Sequence, residues 1–365
     1  MSPSGNRYEK EREQIARWNR LHAPGTAVLC QAYPGRVHRT RSLATLLFQR
    51  KAVIHLEGFS GYFDLDQVQP VAEPGIAAGK RVAVLFPGQG AQSKGMGREL
   101  FAAFSKETHL ASQVLEYSIE RLCLEDPEGL LDQTRYTQVA IYVVNALGYY
   151  QLLRAAPPCK IAFLMGHSVG EYNALLAAEV FDFETGLRLV MKRGELMGKI
   201  LGGAMAAVLG ASSERIRELL GGSGLNDIDL ANYNTPTQTV ISGPATSIER
   251  AMGMLAEQRI EARRLRVSGA FHSRYMSEAH RSFIEYAQAL TFTAPSIPVI
   301  ANVTGRPYEP ERILETLSAQ ITSPVRWADS VRYVQSQGEV DFVEIGSTFL
   351  RPMVREISAR APAAA

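Results

Sequence analysis

The stretch LMGHSVGEYNA, residues 164–174, decides the fold. It places Ser168 between Gly166 and Gly170, with an apolar run before the turn and helix-forming residues after it. A G-x-S-x-G sequence between a strand and a helix is typical of a nucleophile elbow, a tight turn that lifts the serine hydroxyl out of a sheet. The alternative is a structural turn in which the serine is incidental. The strand–helix setting favours the nucleophile.

The segments on either side of this turn predict an α/β fold. RVAVLFPG at 81–88 and KIAFLMG at 160–166 are apolar enough to be strands buried on both faces of a parallel sheet, and helical patterns separate them. Residues 203–267 have a different order of strand, helix, two strands, helix and strand, which is the ferredoxin-like pattern. We therefore expect an α/β-hydrolase-like large subdomain, residues 81–202 and 268–355, with a ferredoxin-like subdomain inserted at 203–267.

The first 75 residues predict a separate, β-rich extension. A charged helix is expected over residues 7–20, and short alternating segments between residues 26 and 71 suggest a small SH3-like β-barrel. The segment AEPGIAAGK at 72–80 has the composition of a linker. We place the domain boundary there.

Composition excludes several classes of protein. Of the 365 residues, 46% are hydrophobic and 21% are charged, and the net charge of +2 argues against a dedicated nucleic-acid binder. The 3 cysteines are too few for a disulfide framework or a structural zinc site, so we expect a reducing, cytoplasmic setting. The first 20 residues lack the apolar core of a signal peptide, and no run of about 18 apolar residues occurs. We expect neither secretion nor a membrane span.

A nucleophilic serine needs a base, and two histidines are candidates. His167 adjoins Ser168, but neighbours on a sharp turn point apart, which favours a packing role for His167. His272, in SGAFHSRYM, follows the last strand of the predicted insertion. A loop at a domain junction can bring an imidazole over an active site. A structural loop histidine is the alternative.

Four motifs in sequence order carry a family resemblance. They are LFPGQGAQ at 85–92, GHSVGEYNAL at 166–175, VMKRGELM at 190–197 and GAFHS at 269–273. Together they resemble the malonyl-CoA:acyl-carrier-protein transacylases and the acyltransferase domains of polyketide synthases, including the free-standing, trans-acting type. The resemblance covers residues 81–355, and chance agreement of four ordered motifs is improbable.

The resemblance implies an activity and its catalytic residues. A malonyl group would pass from malonyl-CoA through an ester on Ser168 to the phosphopantetheine thiol of an acyl carrier protein, in polyketide or fatty-acid biosynthesis. His272 would be the general base, oriented by a main-chain carbonyl that the matching position assigns to Arg326. No metal or other cofactor is implied, because acyl exchange between thiols needs neither a metal nor a redox group.

The resemblance also assigns the groups that would hold the substrate. The backbone N–H groups of Gln89 and Val169 would form the oxyanion hole. Arg193 would clamp the malonyl carboxylate with two parallel hydrogen bonds. From the residues alone, an exposed arginine on a long helix is the alternative.

Further pocket residues are implied on the same basis. Phe271, before the histidine, and Val169, after the serine, match the versions that accompany malonyl rather than methylmalonyl selection. Gln138 and Asn234 match positions that line the pocket. For these two amides, plain structural hydrogen bonding is the alternative.

Two other functions and the role of the extension stay open. An editing acyl hydrolase that clears stalled chains from carrier proteins is one alternative, although such relatives tend to lack the arginine at position 193. A catalytically inactive assembly-line scaffold is the other, disfavoured by the intact serine, histidine and arginine. The extension either docks a carrier protein or a synthase subunit, or serves packing and solubility.

Overall fold

The computed structural model describes residues 3–21, 26–47, 51–56, 59, 61–70, 80–155 and 159–360. Contacts divide the chain into two units, Met1–Ala77 and Ala78–Ala365. The predicted linker at 72–80 lies outside the described residues except for Lys80.

In its described residues the first unit contains one long helix and two small sheets. The helix is longer than predicted at both ends, and the sheets have the strand orders β2-β1-β6 and β3-β4-β5, with antiparallel pairs throughout. Its apolar core includes Val28, Ile54 and Leu56. The SH3-like assignment stays a prediction. The elements are α1 (Pro3–Leu21), β1 (Ala27–Cys30), β2 (Tyr33–Arg39), β3 (Thr45–Leu47), β4 (Lys51–Ile54), β5 (Phe63–Asp64) and β6 (Val68–Pro70).

The second unit alternates strands and helices, as the sequence predicts. Its elements are β7 (Arg81–Phe86), α2 (Arg98–Ala103), α3 (Ser105–Leu115), α4 (Ile119–Glu125), α5 (Thr134–Arg154), β8 (Lys160–Gly166), α6 (Gly170–Ala177), α7 (Phe183–Lys199), β9 (Gly203–Leu209), α8 (Ser213–Gly222), β10 (Asp229–Thr235), β11 (Gln238–Pro244), α9 (Ala245–Glu257), β12 (Glu261–Arg264), α10 (Ser277–Ala287), β13 (Val299–Ile300), α11 (Ile313–Ala319), α12 (Trp327–Ser336), β14 (Asp341–Glu344) and α13 (Arg351–Ala359).

A parallel sheet forms the centre of the large subdomain. Its order is β13-β8-β7-β14, and every pair is parallel. The residues of β7 and β8 that the apolar pattern marked are almost all buried, since helices cover both faces of such a sheet. The loops that follow β7, β8 and β13 leave the same edge of the sheet, where α/β folds place their sites. The predicted α/β class is confirmed.

The inserted subdomain is an antiparallel sheet with two helices. Its order, β10-β11-β9-β12, is that of a ferredoxin-like unit, and α8 and α9 pack on it around Val208, Ile216 and Ile241. The final strand, expected to reach residue 267, ends at Arg264. Beyond it the Leu265 N–H still donates to the Met205 carbonyl, and the chain then turns out of the sheet.

One short segment joins the inserted sheet to the large subdomain. Val325, which precedes α12, donates its N–H to the Ala231 carbonyl at 2.8 Å and accepts from the Tyr233 N–H at 2.9 Å. The edge of β10 that no other strand of the inserted sheet covers is therefore hydrogen-bonded to a segment of the large subdomain.

No helix in the part of the chain that the structure describes combines the length and apolarity needed to cross a membrane.

Candidate active site

Ser168 lies in a tight turn between β8 and α6. Its φ of 53° is in the left-handed region, which is unusual for a residue other than glycine. The two ends of the turn approach so closely that a Cβ on Gly166 would lie 2.0 Å from the Gly170 carbonyl carbon. A Cβ on Gly170 would lie 2.2 Å from the Phe86 carbonyl oxygen. The glycine pair is therefore a steric requirement of the strand–turn–helix geometry.

Replacing Gly170 by alanine is expected to destabilise the protein by about 1–3 kcal/mol or more, because the clash is with the backbone of a central strand. The matched control is Gly198→Ala in α7, where an added Cβ meets nothing within 4 Å. That change should be neutral, or stabilising by up to about 1 kcal/mol. Urea unfolding midpoints of the two variants measure the difference. Equal midpoints would contradict the steric argument.

The structure brings Ser168 and His272 together. Ser168 Oγ and His272 Nε2 are 2.7 Å apart, although 104 residues separate them in the sequence. His272 Nδ1 lies 2.8 Å from the Gln320 carbonyl oxygen. Because a carbonyl can only accept, Nδ1 carries the proton and Nε2 is left to accept from the serine hydroxyl. This arrangement suits a neutral imidazole that receives a proton from a nucleophile.

The assignment of the orienting carbonyl to Arg326 is wrong. The Arg326 carbonyl accepts from the Ser330 N–H at 3.0 Å and from Ser330 Oγ at 2.9 Å. It is the first carbonyl of α12 and so belongs to the hydrogen-bond ladder of that helix. Gln320, just past the end of α11, supplies the carbonyl instead.

Burial, with the positive charge of Arg193 acting in the same direction, lowers the pKa of His272 to about 3. The side chain is only 4% exposed. His272 is therefore neutral at physiological pH. In the unfolded chain a histidine titrates near pH 6.5.

This difference predicts a pH dependence of stability. Below about pH 6.5 the unfolded chain binds a proton that native His272 does not, so stability rises with pH and is lost as the pH falls from 6.5 toward 3. Between about pH 5.5 and 4, His272→Gln should reduce the slope of unfolding free energy against pH by about 1.4 kcal/mol per pH unit. Urea unfolding followed through Trp327 fluorescence, in a Trp18→Phe background, measures this slope.

The matched control is His109→Gln, since His109 is exposed on α3 and stays in water in both states. This variant should keep the wild-type slope. A His272→Gln slope equal to that of wild type would contradict the assignment of a neutral, buried imidazole.

Arg193 is buried beside the serine rather than exposed on its helix. Its side chain is 1% exposed, and Nη2 lies 3.2 Å from Ser168 Oγ. Nη1 donates to Gln138 Oε1 at 2.6 Å, and Nη2 also donates to Gln320 Oε1 at 2.9 Å. These acceptors are neutral, and among the described residues no carboxylate lies within ion-pair distance of the guanidinium. Such a site favours a ligand with a carboxylate.

The two predicted oxyanion donors line the same cavity. Gln89, in the loop after β7, and Val169, at the start of α6, both border a cavity of 460 Å³ that also contains Ser168, His272 and Arg193. No acceptor among the described residues takes a hydrogen bond from the backbone N–H of Gln89 or Val169. Both N–H groups are therefore available to a ligand oxygen.

The remaining predicted pocket residues also border the cavity, but two of the side chains are already engaged. Gln138 holds Arg193, as described above, and Asn234 Oδ1 lies 2.9 Å from His167 Nε2. His167 is buried against the edge of Trp327, in agreement with a packing role. Phe271 is 5% exposed and presents its ring to the cavity wall.

Sequence reasoning missed three residues that support the site. Asn302 Oδ1 accepts from the Ser168 N–H at 2.8 Å, and its Nδ2 donates to the Gly166 carbonyl at 2.6 Å. Glu171, in α6, is fully buried, and burial raises its pKa to about 7. The position of Asn302, just after an apolar strand, was a signal that could have found it. Nothing in the local sequence marks Gln320.

The family assignment rests on a match over most of the second unit. A model of the acyl transferase domain matches residues 84–353, which span both parts of the large subdomain and the insertion. The chain belongs to the acyl transferase family. Among the described residues of this acyl transferase, no group of three or more His, Cys, Asp and Glu side chains is arranged to hold a metal ion.

Curated relatives and solved structures agree with the family. The chain is 49% identical over 268 residues to the polyketide biosynthesis malonyl CoA-acyl carrier protein transacylase PksC of Bacillus subtilis, covering 73% of this chain and 92% of PksC. It is 49% identical over 279 residues to the polyketide biosynthesis protein PksE of the same organism, covering 76% of this chain. The chain spans only 36% of the length of PksE.

A solved structure is similar over the same region. The crystal structure of a malonyl CoA-acyl carrier protein transacylase from Burkholderia pseudomallei matches with a TM-score of 0.76 and 46% identity. The match covers 78% of this chain and 100% of that chain. The first unit of the acyl transferase lies outside the region that the family model matches.

Proposed function

We propose that this acyl transferase moves a malonyl group from malonyl-CoA to the phosphopantetheine thiol of an acyl carrier protein, in polyketide or fatty-acid biosynthesis. The single observation that carries the proposal is the grouping of a nucleophile, a base and a carboxylate-binding cation in one cavity. Ser168 Oγ has His272 Nε2 at 2.7 Å and Arg193 Nη2 at 3.2 Å. PksC, which matches 73% of this chain, is a malonyl CoA-acyl carrier protein transacylase.

In the first half-reaction Ser168 becomes acylated. Its Oγ attacks the thioester carbonyl carbon while its proton moves to His272 Nε2. The negative charge on the carbonyl oxygen is stabilised by the N–H groups of Gln89 and Val169. When the C–S bond breaks, the leaving thiolate takes the proton from Nε2 and coenzyme A departs.

In the second half-reaction the carrier protein regenerates the serine. The phosphopantetheine thiol gives its proton to His272 Nε2, and its sulfur attacks the seryl ester. The bond between the acyl carbon and Ser168 Oγ then breaks, and the proton returns to Oγ. Because thiols exchange an acyl group in both steps, the chemistry needs no redox or metal cofactor.

Arg193 has two effects on this reaction. It binds the malonyl carboxylate, which supports selection of malonyl over acetyl groups. Its charge also lowers the pKa of His272 in the free enzyme. A bound carboxylate offsets that charge, so we expect the imidazole to become a stronger base when the correct substrate is present.

The cavity wall supports a preference for an unbranched malonyl group. Phe271 and Val169 both border the cavity that contains Ser168, and we infer that they leave less space for an added methyl group. Discrimination of one methyl is worth only about 1–3 kcal/mol. We therefore infer a preference for malonyl over methylmalonyl rather than strict exclusion.

The proposal extends to the domain division and the cellular setting. We infer that residues 81–202 and 268–355 act with the insertion at 203–267 as the catalytic unit, and that residues 1–75 are a separate extension. The three cysteines are free, which supports a reducing, cytoplasmic setting.

Intact-protein mass spectrometry tests the function. The enzyme is exposed briefly to malonyl-CoA, acetyl-CoA and methylmalonyl-CoA in competition, and a holo carrier protein is then added as acceptor. A malonyl adduct that passes to the carrier is the expected result. An adduct lost to water while the carrier stays unloaded would replace the transferase by an acyl hydrolase. Absence of any adduct would overturn both.

A further inference from the structure

Glu171 is a buried carboxylate that does not border the active-site cavity. It is 0% exposed, and it lies on α6 beyond the turn that carries Ser168. Its Oε1 accepts from Tyr308 Oη at 2.5 Å and from the Asn302 N–H at 3.1 Å, and its Oε2 accepts from Gln320 Nε2. Burying a carboxylate costs free energy even when it is hydrogen-bonded, so the contact with Gln320 calls for an explanation.

Gln320 makes a hydrogen bond to each of three residues of the proposed reaction centre. Its main-chain oxygen accepts from His272 Nδ1 at 2.8 Å. Its side-chain Oε1 accepts from Arg193 Nη2 at 2.9 Å. Its Nε2 donates to the Ser168 carbonyl oxygen at 2.9 Å. One residue therefore touches the base, the cation and the nucleophile's backbone.

The orientation of the Gln320 amide decides whether these contacts can form together. Gln320 Nε2 donates both to Glu171 Oε2 and to the Ser168 carbonyl oxygen, which can only accept, so the Gln320 NH2 group faces these two oxygens and its Oε1 faces away. That orientation is the one in which Oε1 can accept from Arg193, which only donates. With the amide reversed, the NH2 group would face the guanidinium and an oxygen would face the carboxylate.

We propose that Glu171 is a positioning residue that fixes the amide orientation of Gln320 and, through it, the placement of Arg193 and His272. The proposal rests on the proposed malonyl transfer, since it concerns the same serine, base and cation. The backbone N–H of Asn302 donates to the other carboxylate oxygen and keeps Oε2 directed at Gln320, and the Tyr308 hydroxyl adds a second hydrogen bond to that same oxygen.

The variant Glu171→Gln tests whether Glu171 fixes the orientation of the Gln320 amide, and it changes the shape of the side chain very little. Tyr308 and the Asn302 N–H are both donors toward Oε1, so the new amide must direct its oxygen to them and its NH2 group to Gln320. The NH2 group of the new amide would then face the NH2 group of Gln320. If the Gln320 amide reverses to avoid this, its NH2 group faces the Arg193 guanidinium, which also only donates. We expect single-turnover acylation by malonyl-CoA to slow by roughly 10- to 100-fold, part of the gain a well-placed base supplies. The rate with acetyl-CoA should fall less.

The His272 ring provides a readout that a merely structural role would not change. In the wild-type protein the Nδ1 proton is held by the Gln320 carbonyl. We expect its nitrogen-15-coupled proton resonance to shift or broaden in Glu171→Gln. The matched control is Tyr308→Phe, which removes a hydrogen bond from the same carboxylate but leaves the Gln320 contact. It should lower the unfolding midpoint, keep the resonance and change acylation less than about twofold.

If Glu171→Gln does not fold, Gln320→Met removes the same link while keeping the main-chain carbonyl and the buried acid. It should lower the ratio of malonyl to acetyl acylation rates at least tenfold. Acylation rates and a His272 resonance in Glu171→Gln that match those of Tyr308→Phe would overturn the proposal, as would an unchanged ratio in Gln320→Met. Failure of the wild-type enzyme to form a malonyl ester would instead count against the proposed function.

Discussion

Ser168→Ala is expected to abolish the malonyl adduct and to reduce carrier loading by roughly 10³-fold or more, because removal of a catalytic nucleophile leaves only binding and electrostatic effects. Alanine and serine both carry a Cβ and so pay a similar steric cost at a φ of 53°, and the turn should therefore persist. Intact mass after exposure to malonyl-CoA measures the adduct, and the accumulation of malonyl carrier protein measures the rate.

The control for this variant is Ser213→Ala, at the half-buried first residue of α8, whose hydroxyl donates to the neighbouring Glu214. Both variants should unfold at similar urea concentrations, and only Ser213→Ala should keep the adduct. A malonyl adduct that survives in Ser168→Ala would place the covalent site on another residue and reject the catalytic assignment.

Arg193→Ala is expected to weaken malonyl transfer by about 2–5 kcal/mol, which corresponds to about 30- to 5,000-fold in kcat/KM. The guanidinium is desolvated and next to Ser168, so a malonyl group at the serine would lose the cation that lies 3.2 Å from Oγ. Acetyl transfer lacks this contact and should fall much less. Competition between malonyl-CoA and acetyl-CoA, read by intact mass, measures the change in preference.

Arg188→Ala is the matched control on the same helix. Arg188 is exposed and pairs with Glu184 through a contact that is worth little in water. This variant should keep the wild-type preference for malonyl. If Arg193→Ala slowed malonyl and acetyl transfer by equal factors, the arginine would serve the general integrity of the site rather than the binding of a carboxylate.

The sequence was a good guide wherever the signal is local. The apolar run before Ser168 and the glycines around it specify a strand and a tight turn, and the structure has both. The alternation of strand and helix patterns in residues 203–267 predicted the inserted sheet, and the observed strand order is that of a ferredoxin-like unit. Boundaries were less accurate, as at Arg264, where the strand ends once the chain turns toward the cavity.

The contacts that support the site depend on tertiary structure and could not be read locally. Gln320 and Arg326 both lie between α11 and the first turn of α12. Because α12 begins directly after Arg326, the Arg326 carbonyl bonds to Ser330 within that helix, and the Gln320 carbonyl accepts from His272 instead. Glu171 belongs to the serine motif, yet its role depends on Tyr308 and Gln320, which lie more than 130 residues away along the chain. No spacing rule connects them.

The pairing of Val325 with β10 has a consequence for exchanging parts between related enzymes. At one end of the stretch from Gln320 to Val325, the Gln320 carbonyl holds the His272 ring. At the other end, Val325 is hydrogen-bonded to the edge of the inserted sheet. Replacing the ferredoxin-like subdomain by that of a related enzyme, in order to change which acyl group is accepted, would change the hydrogen bonds to Val325 and so displace that stretch. Chimaeras built at the two chain junctions alone would therefore alter the reaction centre as well as the cavity wall. A transplant that preserves turnover needs to carry the Gln320–Val325 stretch together with the inserted sheet.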